Sequence, residues 1–220
     1  MPKLKQNLNG QDMGAKGQLT RSRIMEATAI LVERRPMREL KVAEIGAHAA
    51  VSASTFYLYF ESVPDAVLAV VEDLLNQSTP ELMAIFDQEW TGRNMMEVAK
   101  QFVQTYVSFW DRHHALLRVR NFAADEGDRR FLDSRRRSVE PIHFALQEKI
   151  RRFQESTPSA IRLHPPSTVS VTLAMLERTA AILRQPSAHK ATRTGLIESA
   201  TFLFAEAISG SNADLTHPGE

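Results

Sequence analysis

The sequence predicts an all-α protein of about nine helices. Apolar residues recur at spacings of three and four from Ile24 onward, which is the period of a helix with one buried face. Sustained alternation of apolar and polar residues, the mark of a half-buried strand, is absent from the sequence. At 220 residues, with 43% hydrophobic and 24% charged residues, the chain is expected to form one large domain or two small ones.

Composition excludes several classes of protein. No apolar run approaches the roughly 18 residues that a transmembrane helix needs, and no apolar segment follows the basic N-terminus as in a signal peptide. The chain has no cysteine, which excludes disulfides, Cys-ligated zinc, iron–sulfur clusters and thiol catalysis. We therefore expect a cytoplasmic protein that does not bind a membrane.

The N-terminal third is predicted to hold short helices with clear breaks. Residues 1–19 include three glycines and no apolar periodicity, and they predict a flexible basic arm. Pro36 separates the first two helices, and Ser52 is expected to cap the third. The predicted helices are about Ser22–Arg35, a short helix with Val42, Ile45 and Ala49 on one side, Ala53–Phe60, and Pro64 to about Gln88.

The remaining helices are longer, and they precede a polar tail over residues 211–220. Pro141 lies inside one of them and is expected to kink it, since proline removes a helical hydrogen bond. The predicted helices are one containing Phe102, Tyr106 and Trp110, then His114–Ala124, Asp128–Glu155, Ser167–Arg184 and Ala191–Ser209.

The charge distribution suggests a polyanion-binding N-terminal end. Residues 1–60 carry nine lysines and arginines against five acidic residues, whereas the other 160 residues carry 18 against 21. A basic segment attached to a slightly acidic body is typical of nucleic-acid binding, although an uneven surface charge without function has the same appearance.

Residues 41–60, KVAEIGAHAAVSASTFYLYF, have the pattern of a helix-turn-helix. Apolar side chains are spaced for burial, and small hydroxylated side chains are left at the N-terminal end of the second helix of the motif. That end of the helix enters the major groove, where short side chains allow a close approach to base edges. A plain three-helix unit would show a similar pattern. The predicted DNA-binding residues are Arg21, Lys41, Val42, Ser52, Ala53, Ser54, Thr55, Tyr57 and Tyr59.

The order of residues resembles the DNA-binding domain of the tetracycline-repressor (TetR) family. The resemblance rests on Ile45, Ala49-Ala50-Val51-Ser52, Thr55-Phe56-Tyr57 and Tyr59-Phe60, and it covers residues 18–78. Ala50 stands at the family's turn glycine, which costs about 1 kcal/mol if its φ is positive. The family's lysine after Phe60-Glu61-Ser62 is absent. The resemblance implies a DNA-binding domain at 20–64 and a ligand-binding and dimerisation domain at 65–210.

Members of the family are homodimers that pair through their last two helices and bind a small effector. The resemblance therefore implies a dimer interface at Leu173, Ala180, Leu183, Leu196, Ala200, Leu203 and Ala207. Two short segments, His113–Arg118 and Met175–Thr179, are similar to the branch containing the mycobacterial ethionamide-resistance repressor. That similarity implies an apolar ligand pocket lined by Tyr106, Trp110, Val139, Ile142, Leu146, Leu173, Leu176 and Phe204, although the same residues could form an ordinary core.

The sequence thus predicts a homodimeric transcriptional repressor that leaves a palindromic operator in double-stranded DNA when a small hydrophobic effector binds. We expect no cofactor, no metal site and no enzyme activity, because neither a nucleophile motif, nor paired catalytic carboxylates, nor a phosphate-binding loop is present. Two alternatives stay open: an all-α enzyme acting on an apolar substrate, and a helical adaptor that binds protein.

Overall fold

The computed structural model describes residues 6–157, 161–184 and 190–210. Within these ranges the chain is all-α, as predicted, and its only β-type pairing is an isolated antiparallel bridge between Gln6 and Asp12. Residues 1–5 of the predicted arm and the predicted tail lie outside the described residues. The helices are α1 (Ala15–Arg34), α2 (Val42–Ala49), α3 (Ala53–Tyr57), α4 (Val63–Met83), α5 (Met95–Asp125), α6 (Arg129–Ser156), α7 (Pro165–Ile182) and α8 (Arg193–Ser209).

Helix α1 begins seven residues before the predicted start at Ser22, so the last five residues of the predicted arm are helical. The early turn of α1 carries exposed side chains such as Lys16 and Leu19, and it therefore gives no apolar periodicity in the sequence. The residues before α1 are anchored as well. Met13 is buried, and the Leu8 amide donates to the Leu58 carbonyl at 3.0 Å.

Helix α3 is three residues shorter than predicted and ends at Tyr57, although the Phe60 amide still donates to the Phe56 carbonyl at 3.1 Å. Helix α4 ends at Met83 rather than near Gln88, and a short 3-10 helix, Ala84–Asp87, continues the chain. A second 3-10 turn, Met37–Glu39, follows Pro36, which separates α1 from α2 as predicted.

The predicted fifth and sixth helices form one helix, α5, so the described residues hold eight α-helices rather than nine. The backbone leaves helical geometry only at His113, with φ −124° and ψ 18°. Neither proline nor glycine lies between Trp110 and His114, so nothing in the chain stops the helix there. Helix α6 runs through Pro141 for its full length.

The chain divides into two compact units. Unit 1 contains residues up to Ser78 together with His113–Ser138, and unit 2 contains Thr79–Arg112 together with the residues from Val139 onward. The core of unit 1 is formed by fully buried side chains of the first helices and of α5 and α6: Ile24, Leu31, Ile45, Phe56, Leu117 and Phe131.

Unit 2 has an aromatic core. The Phe102 and Phe204 rings stack at 4.8 Å between centroids, and Phe86 stacks on Trp90 at 5.3 Å. Helices α7 and α8 pack against each other, and Asp111 of α5 forms ion pairs with Arg184 and Arg193. These contacts hold the ends of α7 and α8 beside α5.

Candidate DNA-binding site and cavity

The turn between α2 and α3 has the hydrogen bonds of a Schellman motif. The Val51 amide donates to the Gly46 carbonyl at 2.9 Å, and the Ala50 amide donates to the Ala47 carbonyl at 3.2 Å. Ala50 lies in the left-handed region, with φ 50° and ψ 50°. An alanine therefore occupies a conformation that favours glycine, which is the strain that the sequence predicted at this position.

Gly46 is a determinant of the turn that was not among the predicted residues. A Cβ at this position would lie 2.8 Å from the Val51 carbonyl oxygen, which is too close for any other residue without a backbone shift. The signal in the sequence is a glycine inside a short predicted helix just before a turn, because such a glycine indicates a close approach of backbone. Gly46 thus sets the distance between α2 and the chain that leads into α3.

Ser52 caps α3 as predicted. Its Oγ accepts a hydrogen bond from the Thr55 amide at 3.1 Å and lies 2.8 Å from Ser54 Oγ and 2.9 Å from Thr55 Oγ1. Below this cluster Phe56 is fully buried, and it fixes which face of α3 points outward. The result is a group of linked hydroxyls at the N-terminal end of an exposed helix.

The predicted DNA-binding residues are all on the surface of unit 1 to some degree. Tyr57 is 52% exposed, and Tyr59 and Thr55 are half-buried. The exposed members are Lys41, Ser52, Ala53, Ser54 and Tyr57, and the half-buried ones are Arg21, Val42, Thr55 and Tyr59. Residues from α2, α3 and the turn between them therefore contribute to one accessible segment.

Arg21 has a different environment from the other candidates. Its guanidinium lies 5.1 Å from the centre of the Phe60 ring, and its Nη1 is 3.0 Å from Met25 Sδ. Burial lowers the pKa of Arg21, and the negative charges of Asp73 and Glu72 act in the opposite direction. The Arg21 side chain, which the sequence predicted to bind DNA, therefore already contacts Phe60 and Met25 within unit 1.

The basic run at Arg135-Arg136-Arg137 is largely neutralised within unit 1. Arg137 pairs with Glu72 at 2.7 Å, and Arg135 pairs with Asp125 at 3.1 Å. Two of the three arginines are thus paired with carboxylates of the same unit, which favours residues 41–60 over α6 as the place where unit 1 would meet a polyanion.

The predicted ligand-pocket residues all belong to unit 2, and seven of the eight are buried. Leu146, Leu176 and Phe204 are fully buried, while Val139 is half-buried. The buried members are Tyr106, Trp110, Ile142, Leu146, Leu173, Leu176 and Phe204. None of the eight is among the residues that line the cavity of unit 2 described next.

The cavity of unit 2 has a volume of about 880 Å³. The sequence did not predict it, because its walls come from three separate stretches of the chain that share no periodicity. The stacked Phe86 and Trp90 pair, preceding Gly92, was the one local signal. The lining residues are 86–92, Met95, Met96, Lys149, Arg152, Phe153, Ser156, Thr157, Ala205, Glu206, Ser209 and Gly210.

Lys149 is the half-buried cation in the cavity wall. Its Nζ donates to the Gln88 carbonyl at 3.0 Å and lies 5.2 Å from the centre of the Trp90 ring. Burial lowers the pKa of Lys149, and the nearby charge of Arg152 lowers it further, against the opposite effect of Asp87 and Glu89.

The predicted interface residues on α7 and α8 differ in exposure. Leu203 is 53% exposed, whereas Leu173, Ala180 and Ala200 are buried within the chain itself. The last three face the core of unit 2 because helical periodicity puts them on the inner side of α7 and α8. Leu183, Leu196 and Ala207 are half-buried. Val171 and Phe202, which were not predicted, are exposed by 70% and 54%.

Among the described residues no group of three or more histidine and acidic side chains is arranged to hold a metal ion. No helix in that part of the chain is long and apolar enough to cross a membrane.

Two family models match the chain. The model "Bacterial regulatory proteins, tetR family" matches residues 24–62, which contain α2, the turn and α3. The model "Tetracyclin repressor-like, C-terminal domain" matches residues 82–212. The chain belongs to the TetR family. Its fold and its helix-turn-helix are therefore those of the DNA-binding transcriptional regulators of the TetR family, a class of proteins that are not enzymes.

Solved structures of TetR-type regulators share this fold. The fatty acid degradation regulator FadR from Bacillus halodurans has a TM-score of 0.66 at 14% identity, over 89% of this chain and 97% of that chain. FadR from Bacillus subtilis in complex with stearoyl-CoA has a TM-score of 0.65 at 14% identity, over 86% and 98%. A TetR/AcrR regulator from Thermobifida fusca has a TM-score of 0.63 at 15% identity, over 84% and 96%. No curated protein matches the chain significantly.

Proposed function

We propose that this TetR-family chain is a homodimeric repressor that binds a near-palindromic operator and releases it when an effector binds. The observation that carries the proposal is the exposed N-terminal end of α3, where Ser52, Ser54 and Thr55 form a hydroxyl cluster above the buried Phe56. Two such helices, one from each subunit, would enter successive major grooves.

The DNA contacts divide into two kinds. The hydroxyl cluster and the methyl groups of Ala53 and Thr55 would meet base edges, where a hydroxyl pairs with either donors or acceptors and a methyl packs on thymine. Lys41 and the Tyr57 hydroxyl would contact phosphates, which position the helix without reading the sequence. Arg21 would contribute less than the sequence suggested, because its guanidinium packs against Phe60.

Dimerisation is supported by the accessible apolar side chains of α7 and α8. Val171, Phe202 and Leu203 are exposed by more than half of their area, and they would lose that exposure against the same helices of a second copy. Replacing Phe202 with Glu should turn dimers into monomers in sedimentation velocity.

The effector is proposed to bind in unit 2 and to be mainly apolar. One candidate site is the buried cluster around Tyr106 and Leu176, which the resemblance to the ethionamide-resistance branch implies. The FadR of Bacillus subtilis, which was crystallised with stearoyl-CoA, gives a precedent for an acyl ligand on this fold. An effector would release DNA only by binding more tightly to the conformation that does not fit the operator.

The experiment is a selection from randomised duplex DNA by the purified protein at physiological salt. Recovery of a two-fold symmetric site supports the proposal, and failure to recover any shared sequence, with or without candidate effectors, overturns it. A Tyr57→Ala variant should weaken binding to the selected site. The matched control is Phe122→Ala, which removes an aromatic side chain of similar exposure from α5 and should leave binding unchanged.

The salt dependence tests the phosphate contact separately. Lys41→Gln should reduce the slope of log K against log salt by about one per subunit, since one cation fewer displaces counterions. Lys100→Gln, an exposed lysine of α5, should leave the slope as it is.

A further inference from the structure

We infer that the cavity of unit 2 is a binding site for a singly charged organic anion with an apolar body, and that Lys149 holds its charged group. The cavity of about 880 Å³ lies within the range of small-molecule sites, roughly 300–1,000 Å³. This inference goes beyond the proposed function, because it concerns binding to the protein alone and holds whether or not the ligand affects DNA.

Lys149 provides the anion-binding group. Its ammonium has three donors, of which one is used by the Gln88 carbonyl, and its Nζ lies 5.2 Å from the centre of the Trp90 ring. None of the ion pairs in the described part of the chain includes Lys149. Partial burial disfavours the charge of this ammonium, and an anion in contact with it would offset that effect.

Arg152 adds a second positive charge to the wall. Its Nε donates to Glu148 Oε1 at 2.8 Å, and its side chain is 69% exposed. Because Glu148 and solvent already satisfy much of this guanidinium, Arg152 would attract the ligand at the mouth while Lys149 binds it inside.

The apolar part of the ligand has a matching surface. Phe86 and Trp90 present a stacked aromatic pair, and Met95, Met96 and Phe153 contribute flexible or aromatic side chains. Methionine side chains adapt to ligands of different shape, so this surface suits an aliphatic as well as an aromatic body.

The rim limits the charge of the ligand. Asp87 and Glu89 are exposed, and Glu206 is half-buried, and all three carboxylates belong to the cavity wall. These carboxylates repel every negative charge on a head group, so the repulsion grows with the number of charges, whereas the contact with Lys149 compensates a single carboxylate. The ligand class is therefore an alkyl or aryl carboxylate rather than a polyphosphate or a coenzyme A ester.

Isothermal titration calorimetry on the full chain tests this inference with three probes of equal chain length: decanoate, decanol and decyltrimethylammonium. Decanoate should bind saturably and more tightly than the other two. Lys149→Met, which keeps the apolar stem over Trp90, should weaken decanoate at least about tenfold and leave decanol unchanged. Lys149→Arg should restore most of the affinity, and Lys100→Gln should have no effect.

Equal binding of the three probes, no saturable heat with decanoate, or unchanged decanoate binding in Lys149→Met overturns the inference. Circular dichroism of each variant separates loss of the site from loss of the fold. The outcome is independent of the DNA selection: decanoate binding with no operator would overturn only the proposed function, and an operator with no decanoate binding would overturn only the anion site.

The pH dependence of decanoate affinity is a second measurement. It would not follow the titration of Lys149 if this lysine had only a structural role. An ordinary lysine has a pKa of about 10.4, and burial lowers the pKa of Lys149. As the pH rises, decanoate affinity should therefore begin to fall at a lower pH than the titration of an ordinary lysine would give. Retention of full decanoate affinity up to that pH in the wild-type protein contradicts the assignment to Lys149.

Discussion

Replacing Ala50 with glycine should stabilise the protein, although it removes a side-chain carbon. Ala50 has φ 50° and ψ 50°, where an L-residue is less stable by roughly 1–2 kcal/mol because its Cβ crowds the following carbonyl. Glycine has no such penalty, but it increases the conformational entropy of the unfolded chain, which lowers the free energy of unfolding by about 0.4–1 kcal/mol. The difference is a net gain of about 0.5–1 kcal/mol for Ala50→Gly.

The assay is urea unfolding followed by far-ultraviolet circular dichroism, with thermal unfolding as a second measure. A gain of this size should raise Tm by about 1–4 °C in a chain of this length. The hydrogen bonds of the turn, from the amides of Ala50 and Val51, use backbone atoms only and should survive the substitution.

Ala47→Gly is the matched control, because Ala47 is exposed in the interior of the same helix. There glycine brings only its entropic cost, so the free energy of unfolding should fall by about 0.5–1 kcal/mol. The two Ala→Gly changes should therefore have opposite signs. Equal losses from both would refute the argument that the left-handed backbone of Ala50 is strained.

Three further changes test other contacts. Gly46→Ala should lower the free energy of unfolding by about 1–3 kcal/mol and weaken DNA binding, because its Cβ would meet the Val51 carbonyl; wild-type urea and DNA titrations in this variant would contradict the close approach. Thr192→Ala should cost about 1 kcal/mol in urea unfolding, since Thr192 Oγ1 accepts from the Gly195 amide at 3.1 Å, and Thr192→Ser should not. The hydrogen bond from Arg130 lowers the pKa of Asp128, so its contribution to stability is present above pH about 3.9 and is lost as pH falls through the lowered value. Asp128→Asn should therefore reduce the acid dependence of the urea midpoint, and an unchanged pH profile would be the opposing result.

The sequence predicted the helices well where burial leaves a periodic trace. Helix α6 runs from Arg129 to Ser156, within one residue of the predicted ends, because Ile142, Leu146 and Ile150 recur on one buried face. The first turn of α1 leaves no such trace, since its side chains face solvent.

Predictions about sites were harder than predictions about helices. The turn after α2 could be identified because cap and turn residues act on their own neighbours, as Ser52 and Ala50 do. The cavity could not, because its walls at Trp90, Lys149 and Ala205 come from parts of the chain that are far apart in sequence and meet only through the fold. For the same reason an apolar stripe on α7 and α8 did not distinguish buried Leu173 from exposed Leu203.

The hydroxyl cluster of α3 has a consequence for how many promoters such a regulator could serve. In the pairs that Ser52 forms with Ser54 and with Thr55, either oxygen is able to act as the donor. Rotation of a hydroxyl reverses its polarity at almost no cost, so the same helix could face an acceptor in one promoter and an amino group in another. For the proposed repressor, the regulon would then consist of related but non-identical operators. Recognition would depend on the spacing of the two α3 helices and on the position of thymines more than on a fixed consensus sequence.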